Sequence, residues 1–318
     1  MYIFSKSFFK DSLSILKNAG AGFMEDKGLK LSASLSYYTV FSIGPLLLLI
    51  ISLAGAIFGS EAIEGKVFSE INGLIGNKAA AQVQETITNM KLSGDTTFSL
   101  IIGAVTLLIG ATTVFGEIQD SINMIWRVKA KPKRGWLKML KDRIRSGSLI
   151  VGLGFLLIVT LIVNGLISGL GDVLHSYFPD VTLVLMHIIS FAISFLVITI
   201  LFGVIFKVLP DAEIAWKDVR AGALFTACLF MGGRYLIGLY IETTGAGSPY
   251  GAAGSIIVIL LWVYFTAAIL YFGAEFTQAY ANHIGARIYP SEFAVHVEQK
   301  EVEKETGALP PRKPKINE

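Results

Sequence analysis

Apolar residues in this chain gather into runs too long and continuous for the alternating faces of a soluble fold. The last run, Gly254–Ala279, carries no charge over its first twenty-one residues, enough helix to cross a hydrocarbon layer ~30 Å thick. Similar runs at Leu35–Phe58, Phe98–Asn123, Leu149–Leu170, Val181–Val208 and Trp216–Tyr240 predict five more spans. The expected fold class is all-α: a polytopic membrane protein with six transmembrane helices in residues 35–281. Residues 1–34 form an amphipathic leading segment, and the charged stretch 282–318, ending in Leu-Pro-Pro-Arg-Lys-Pro-Lys before its last residues, is expected to be a disordered tail.

Polar positions refine that outline. Phe4, Phe8, Phe9, Leu13 and Leu16 recur at helical spacing with Lys6, Lys10 and Lys17 on other faces, which suits either a helix lying in the headgroup zone or an ordinary packing helix. Both readings stay open. Pro45 falls inside the first span and predicts a kink there. The following connector repeats apolar residues at Val67, Ile71 and Leu74, then at Val83, Ile87 and Met90, as two short amphipathic helices would. In the second span Gly103, Thr106, Gly110, Thr113, Glu117 and Asp120 make a small and polar stripe expected to face protein, because small residues let helices approach closely in lipid. Gly165 and Gly169, beside Asn164, make a similar pair in the third span.

Composition agrees with this class. The 318 residues are 53% hydrophobic and 16% charged, against ~25% charged in soluble domains, and the mean hydropathy is +0.62. The single cysteine, Cys228, excludes an intrachain disulfide. Residues 1–22 lack the apolar core and cleavage site of a secretory signal. Charge then sets orientation. Nine basic residues, Arg127, Lys129, Lys131, Lys133, Arg134, Lys138, Lys141, Arg143 and Arg145, crowd between the second and third spans, against Asp142 alone. With six spans, this connector, the start, the fourth connector and the tail share one face and hold all but four of the 27 Lys and Arg residues. Both termini of a multi-pass chain are therefore expected in the cytoplasm, with the nine basic residues against anionic lipid headgroups. That position makes lipid a simpler partner than nucleic acid, and leaves room for a second copy of the chain.

Candidate chemistry is sparse. Arg234 lies far from both ends of the fifth span, where an arginine costs ~2.5–3.5 kcal/mol on insertion scales and calls for a partner or water; Glu242, two turns on, is one candidate partner. Glu117 and Glu275 fall at similar depth near the same boundary and can face one vestibule. Tyr271, Glu275 and Gln278 share a face of the last span, and Tyr38 belongs to a polar face of the first. Glu117, Arg234, Glu275, Tyr38, Asn164, Tyr271 and Gln278 are thus the candidate substrate pathway. The competing reading, in which the two acids simply anchor Lys or Arg of the basic connector, stays open for each acid alone. His175, His187, His283 and His296 are isolated and form no metal-ligand pattern, and no nucleophile elbow or Walker A loop is present. No enzyme activity, metal or cofactor is expected.

Several stretches resemble one known family. Tyr37-Tyr38 with Ser42 and Pro45, the Asp120-to-Trp126 end of the second span, Leu209-Pro210 with Trp216, Asp218 and Gly222, Tyr250-Gly-Ala-Ala-Gly-Ser, Leu-Trp-Val-Tyr and Gly273-Ala-Glu-Phe together resemble the YihY/BrkB family of bacterial inner-membrane proteins over nearly the whole chain. The family pattern usually has Ser-Leu-Phe-Pro where this chain has Ser42-Ile-Gly-Pro45. The resemblance implies a six-helix membrane protein with a suspected transport role and lipid-like cargo. Family members have also carried a ribonuclease BN label, which the scattered histidines argue against here. Three functions follow as expectations: a transporter or flippase of a lipid-like or anionic small substrate, a non-catalytic scaffold holding a cytoplasmic partner or anionic lipid, and, as the least expected, an RNA-processing enzyme.

Overall fold

The computed structural model describes residues 6–42, 113–131, 179–245 and 254–298. The elements are α1 (Lys6–Glu25), α2 (28–42), α3 (113–125), β1 (Val128–Ala130), α4 (Pro179–Val208), β2 (Ala212–Glu213), α5 (Trp216–Thr244), α6 (Gly254–His283), β3 (Tyr289–Pro290) and β4 (Ala294–His296). The described structure is mostly helical. Stretches Val184–Val208, Trp216–Thr244 and Ile256–His283 are long and apolar enough to cross a membrane. They match the expected fourth, fifth and sixth spans within a few residues. The first and second expected spans are described only over 35–42 and 113–123; the third, with Asn164, lies outside the described residues, as does Pro45.

Local sequence sets the ends of these helices. Pro210 cannot continue α4, and Lys207 in its last turn donates to the Ile214 carbonyl at 2.6 Å. α5 begins with Asp218 in its first turn and stops at Gly245, whose φ of 55° is left-handed, a conformation glycine adopts at little cost. α5 and α6 pack antiparallel through reciprocal Gly–Thr contacts. The place of a Gly222 Cβ is taken by the Thr277 side chain, and that of a Gly273 Cβ by Thr226. Each threonine hydroxyl is satisfied inside its own helix, Thr226 by Gly222 O and Thr277 by Gly273 O, both at 2.7 Å. Backbones can therefore approach closely without an unpaired polar group.

The core lies at one end of this bundle. Trp126, Phe206, Leu209, Val219 and Ala274 are buried together, and the Trp126 indole N–H donates to the Ala274 carbonyl at 3.0 Å. A polar clamp joins α3 to the α4–α5 connector: Asp211 Oδ2 accepts from Asn123 at 3.0 Å and Gln119 at 3.2 Å, while Asn123 Oδ1 accepts from the Asp211 N–H at 2.8 Å. Away from this end, α4 and α5 leave Ile188, Phe191, Leu196, Leu224, Leu236 and Leu239 exposed, an apolar surface suited to lipid.

Two expectations need correction. The stretch from Asn282 was expected to be disordered, yet residues 284–298 are ordered as a return across the same end. β3 pairs with β2, β4 pairs with β1, and the Ala286 N–H donates to Asp218 Oδ2 at 2.9 Å. Composition missed this because these contacts are mostly backbone bonds, which side-chain polarity does not report. Nor does the polar stripe of the second span face protein where it is described: Thr113 and Asp120 are exposed and Glu117 is half-buried. The buried face carries Phe115, Ile118, Ile122 and Ile125, whose helical spacing gives the larger apolar burial.

Candidate functional site

α1 is a packing helix along α6. Ile15 and Ala19 are buried, Leu13 is exposed, and Phe23 meets Phe272 edge-on at 5.8 Å. This packing brings Gly22 against Glu275, in a contact that leaves no room for a Cβ. One turn later the chain breaks at Asp26-Lys27 before α2, with Lys27 at φ 56°, and the break points Asp26 back toward the same place. Arg127 arrives from the other side. It ends the turn after α3 in a left-handed conformation, φ 55°, which is uncommon for a side chain with a Cβ.

These residues form one cluster. Arg127 Nη1 pairs with Asp26 Oδ1 at 2.8 Å and Nη2 with Glu25 Oε1 at 3.0 Å. The Asp26 and Glu275 carboxyl groups line the same cleft, close enough to act on each other directly. Glu275 is 3% exposed, and its Oε1 is buried with no hydrogen-bond partner among the described residues. Burial pushes Asp26 above the ordinary carboxyl value of 3.8, while the Arg127 guanidinium pulls the other way. The cluster opens on a cleft of about 340 Å³ whose walls include Asn18, Gln278 and Asn282. At its rim His283 Nε2 lies 3.4 Å from Asp11 Oδ1.

The sequence candidates distribute unevenly around this cleft. Glu275 and Gln278 line it, and Gln278 also donates to the Ile125 carbonyl at 2.8 Å. Tyr271 is fully buried one turn before Glu275. Glu117 is near enough to Tyr271 to act on it electrostatically, but it is not part of the cleft wall. Tyr38 is 37% exposed and stacks edge-on with Tyr37. Arg234, expected to be enclosed within its span, is exposed and borders a separate cleft of about 500 Å³ between α4 and α5, with Ser190, Ser194, Phe191 and Met231. Gly233 faces Ile269, six residues from Glu275, so Arg234 sits about 9 Å deeper along the bundle at 1.5 Å per residue. No ion pair joins Arg234 to Glu242 among the described residues; eight residues of helix separate them by about 12 Å.

Arg127, expected among the anionic-lipid contacts, is turned inward because two acids from the end of α1 draw it there. Lys129 and Lys131 are exposed; Lys133, Arg134, Lys138, Lys141, Arg143 and Arg145 lie outside the described residues. Sequence reasoning missed Asp26. The signal was present as adjacent acids, Glu25-Asp26, shortly before Gly28 and an expected span, but their partner lies 101 positions away from Asp26. Among the described residues no group of His, Cys, Asp and Glu is arranged to hold a metal ion.

Apolar helices of spanning length, together with a buried acid cluster at one end of the bundle, define a helical membrane protein. Residues 19–294 match the family model described as Virulence factor BrkB, and the chain belongs to that family. It is similar to a UPF0761 membrane protein of Pseudomonas paraeruginosa, 28% identical over 279 residues covering 85% of this chain and 63% of the relative. A UPF0761 membrane protein of Psychrobacter is 25% identical over 84% of this chain and 48% of its own length. One from Mannheimia succiniciproducens is 22% identical over 80% and 85%. The chain thus spans about 63% of the length of the Pseudomonas relative. No solved structure matches the chain.

Proposed function

We propose that this protein is a transporter or flippase of the bacterial inner membrane, moving a lipid-like or anionic small substrate rather than catalysing a reaction. In this reading the chain crosses the bilayer six times with both termini in the cytoplasm, an orientation favoured by the bias of Lys and Arg toward one set of connectors. The observation that carries the reading is Glu275. A carboxyl group in a helix of spanning length, buried and with one oxygen unpartnered, is costly to keep. Packing alone offers no return for that cost, whereas a group that must accept and release charge requires it. Arg234 supports the same reading from the second cleft, where a guanidinium flanked by two serines is suited to an anionic headgroup.

The test is substrate movement in reconstituted vesicles, beginning with fluorescent anionic phospholipids. Glu275→Gln and Arg234→Ala are expected to keep expression and abolish movement; normal movement in both variants refutes the proposal. A scaffold reading keeps one specific support, the exposed Lys129 and Lys131 beside the cleft at Asp120 and Asn123. It expects charge neutralisation of the basic connector to release a bound partner while transport assays stay blank. An unchanged interaction profile counts against it.

A further inference from the structure

We infer that Asp26 and Glu275 share a single proton and form a proton-exchange site open to the cleft beside α1. The first ground is proximity: the two carboxyl groups line the same cleft and are close enough to act on each other directly. Ionised carboxylates have only acceptors, so two of them side by side repel unless one is protonated and donates to the other. The second is charge balance. Asp26 and Glu275 are both buried, and the charged group facing the pair with opposite sign is Arg127. Glu25 also pairs with Arg127 but is 72% exposed, so its charge is largely carried by solvent. Among the described residues, two buried carboxylates against one guanidinium leave one negative charge in excess, which one proton removes.

The third ground is access. Both residues of the pair line the cleft, and Glu275 Oε1, shielded from solvent and without a partner among the described residues, is a vacant acceptor within the pair. Uptake takes one proton from water in the cleft onto the pair and leaves a neutral acid hydrogen-bonded to a carboxylate; release returns it by the same route. The other titratable groups facing the cleft are Glu25 and, at the rim, His283 with Asp11. The Arg127 guanidinium, 2.8 Å from Asp26, favours Asp26 as the charged member of the pair, so the shared proton resides chiefly on Glu275.

This site rests on the transport reading for its purpose, since proton exchange is what lets a gradient drive an anionic substrate, but not for its existence. The experiment is infrared pH-difference spectroscopy of the full chain in lipid nanodiscs, with aspartate and glutamate carbon-13 labelled in separate samples and no substrate present. The wild type is expected to show one protonated-carboxyl band that disappears as pH rises, and this band is lost or displaced in Glu275→Gln and Asp26→Asn. In Arg127→Gln that band is expected to persist to higher pH. A wild type with no protonated carboxyl at any pH above the ordinary aspartate range overturns the inference. So does a band unchanged by both carboxyl variants, or one discharged by NaCl but not by choline chloride, which would mark the site as one for a metal cation. Wild-type protein alone can refute the inference if a variant does not fold. A titrating pair in a protein that moves no substrate ends the transport reading only; movement without a titrating pair ends only the proton site.

Discussion

Gly22→Ala is a minimal perturbation of the site because it adds one carbon where α1 touches Glu275. The added Cβ would overlap Glu275 Oε2 and come within 3.0 Å of its Cδ. Ordinary contact lies at ~3.5–4.0 Å, so the carboxyl group must retreat by ~0.5–1 Å. It is the far end of a flexible side chain and can do so, but only by leaving Asp26. Losing that charge-assisted bond costs ~1.5–3 kcal/mol, and replacing a helical glycine by alanine returns ~1 kcal/mol. The net expectation is destabilisation of ~0.5–2 kcal/mol. Gly20 is the control: it lies on the same helix, and a Cβ there meets nothing within 4 Å. Gly20→Ala should therefore stabilise by ~1 kcal/mol. The assay is denaturant unfolding of both variants in the same detergent, followed by circular dichroism. Glu275→Asp, which withdraws the carboxylate by one methylene, should shrink the cost of Gly22→Ala measured in its background. If Gly22→Ala stabilises as much as Gly20→Ala, the carboxylate does not sit against α1 and the site as described is wrong.

Other consequences concern the packing that carries the site. Gly222→Ala should destabilise by ~1–3 kcal/mol through overpacking, because its Cβ would overlap the Thr277 hydroxyl and lie 3.0 Å from its methyl; adding Thr277→Ala, which removes both but keeps the Thr277 Cβ, should recover part of the loss in unfolding midpoints, and strictly additive effects would contradict the contact. Asn123→Ala removes a donor to Asp211 and the acceptor for its N–H, at a cost of ~1–3 kcal/mol for each buried group left unpaired; a change below 0.5 kcal/mol, about the size of a surface effect, would show the clamp to be slack. Asp26 yields a pH dependence with a definite sign. Its folded value is raised, so the stabilisation it contributes is full below the ordinary value of 3.8 and is lost as pH rises through the folded value. Asp26→Asn should flatten that part of the curve of melting temperature against pH, and an unchanged slope would refute the assignment.

Much of this protein was legible from one dimension. Lipid imposes its demand on each helix separately: every backbone group must be satisfied within a segment of sufficient length. Runs of apolar residues therefore announced the last three helices of spanning length to within a few residues of their limits. Glu275 was visible for the same reason, as a lone acid closing an uncharged run. Its partners were not. Asp26 and Arg127 are 101 positions apart and read singly as an ordinary turn acid and one more basic connector residue. Only the packing of α1 along α6, with the left-handed turn at Arg127, makes them a pair. The return of 284–298 onto β1 and β2 was equally invisible, since backbone pairing between distant segments leaves no periodic trace. The sequence by itself determined which segments belong in a membrane, because that is settled by local hydrophobicity. Tertiary structure decided which charges meet, because a buried carboxyl is defined by neighbours that the chain order does not name.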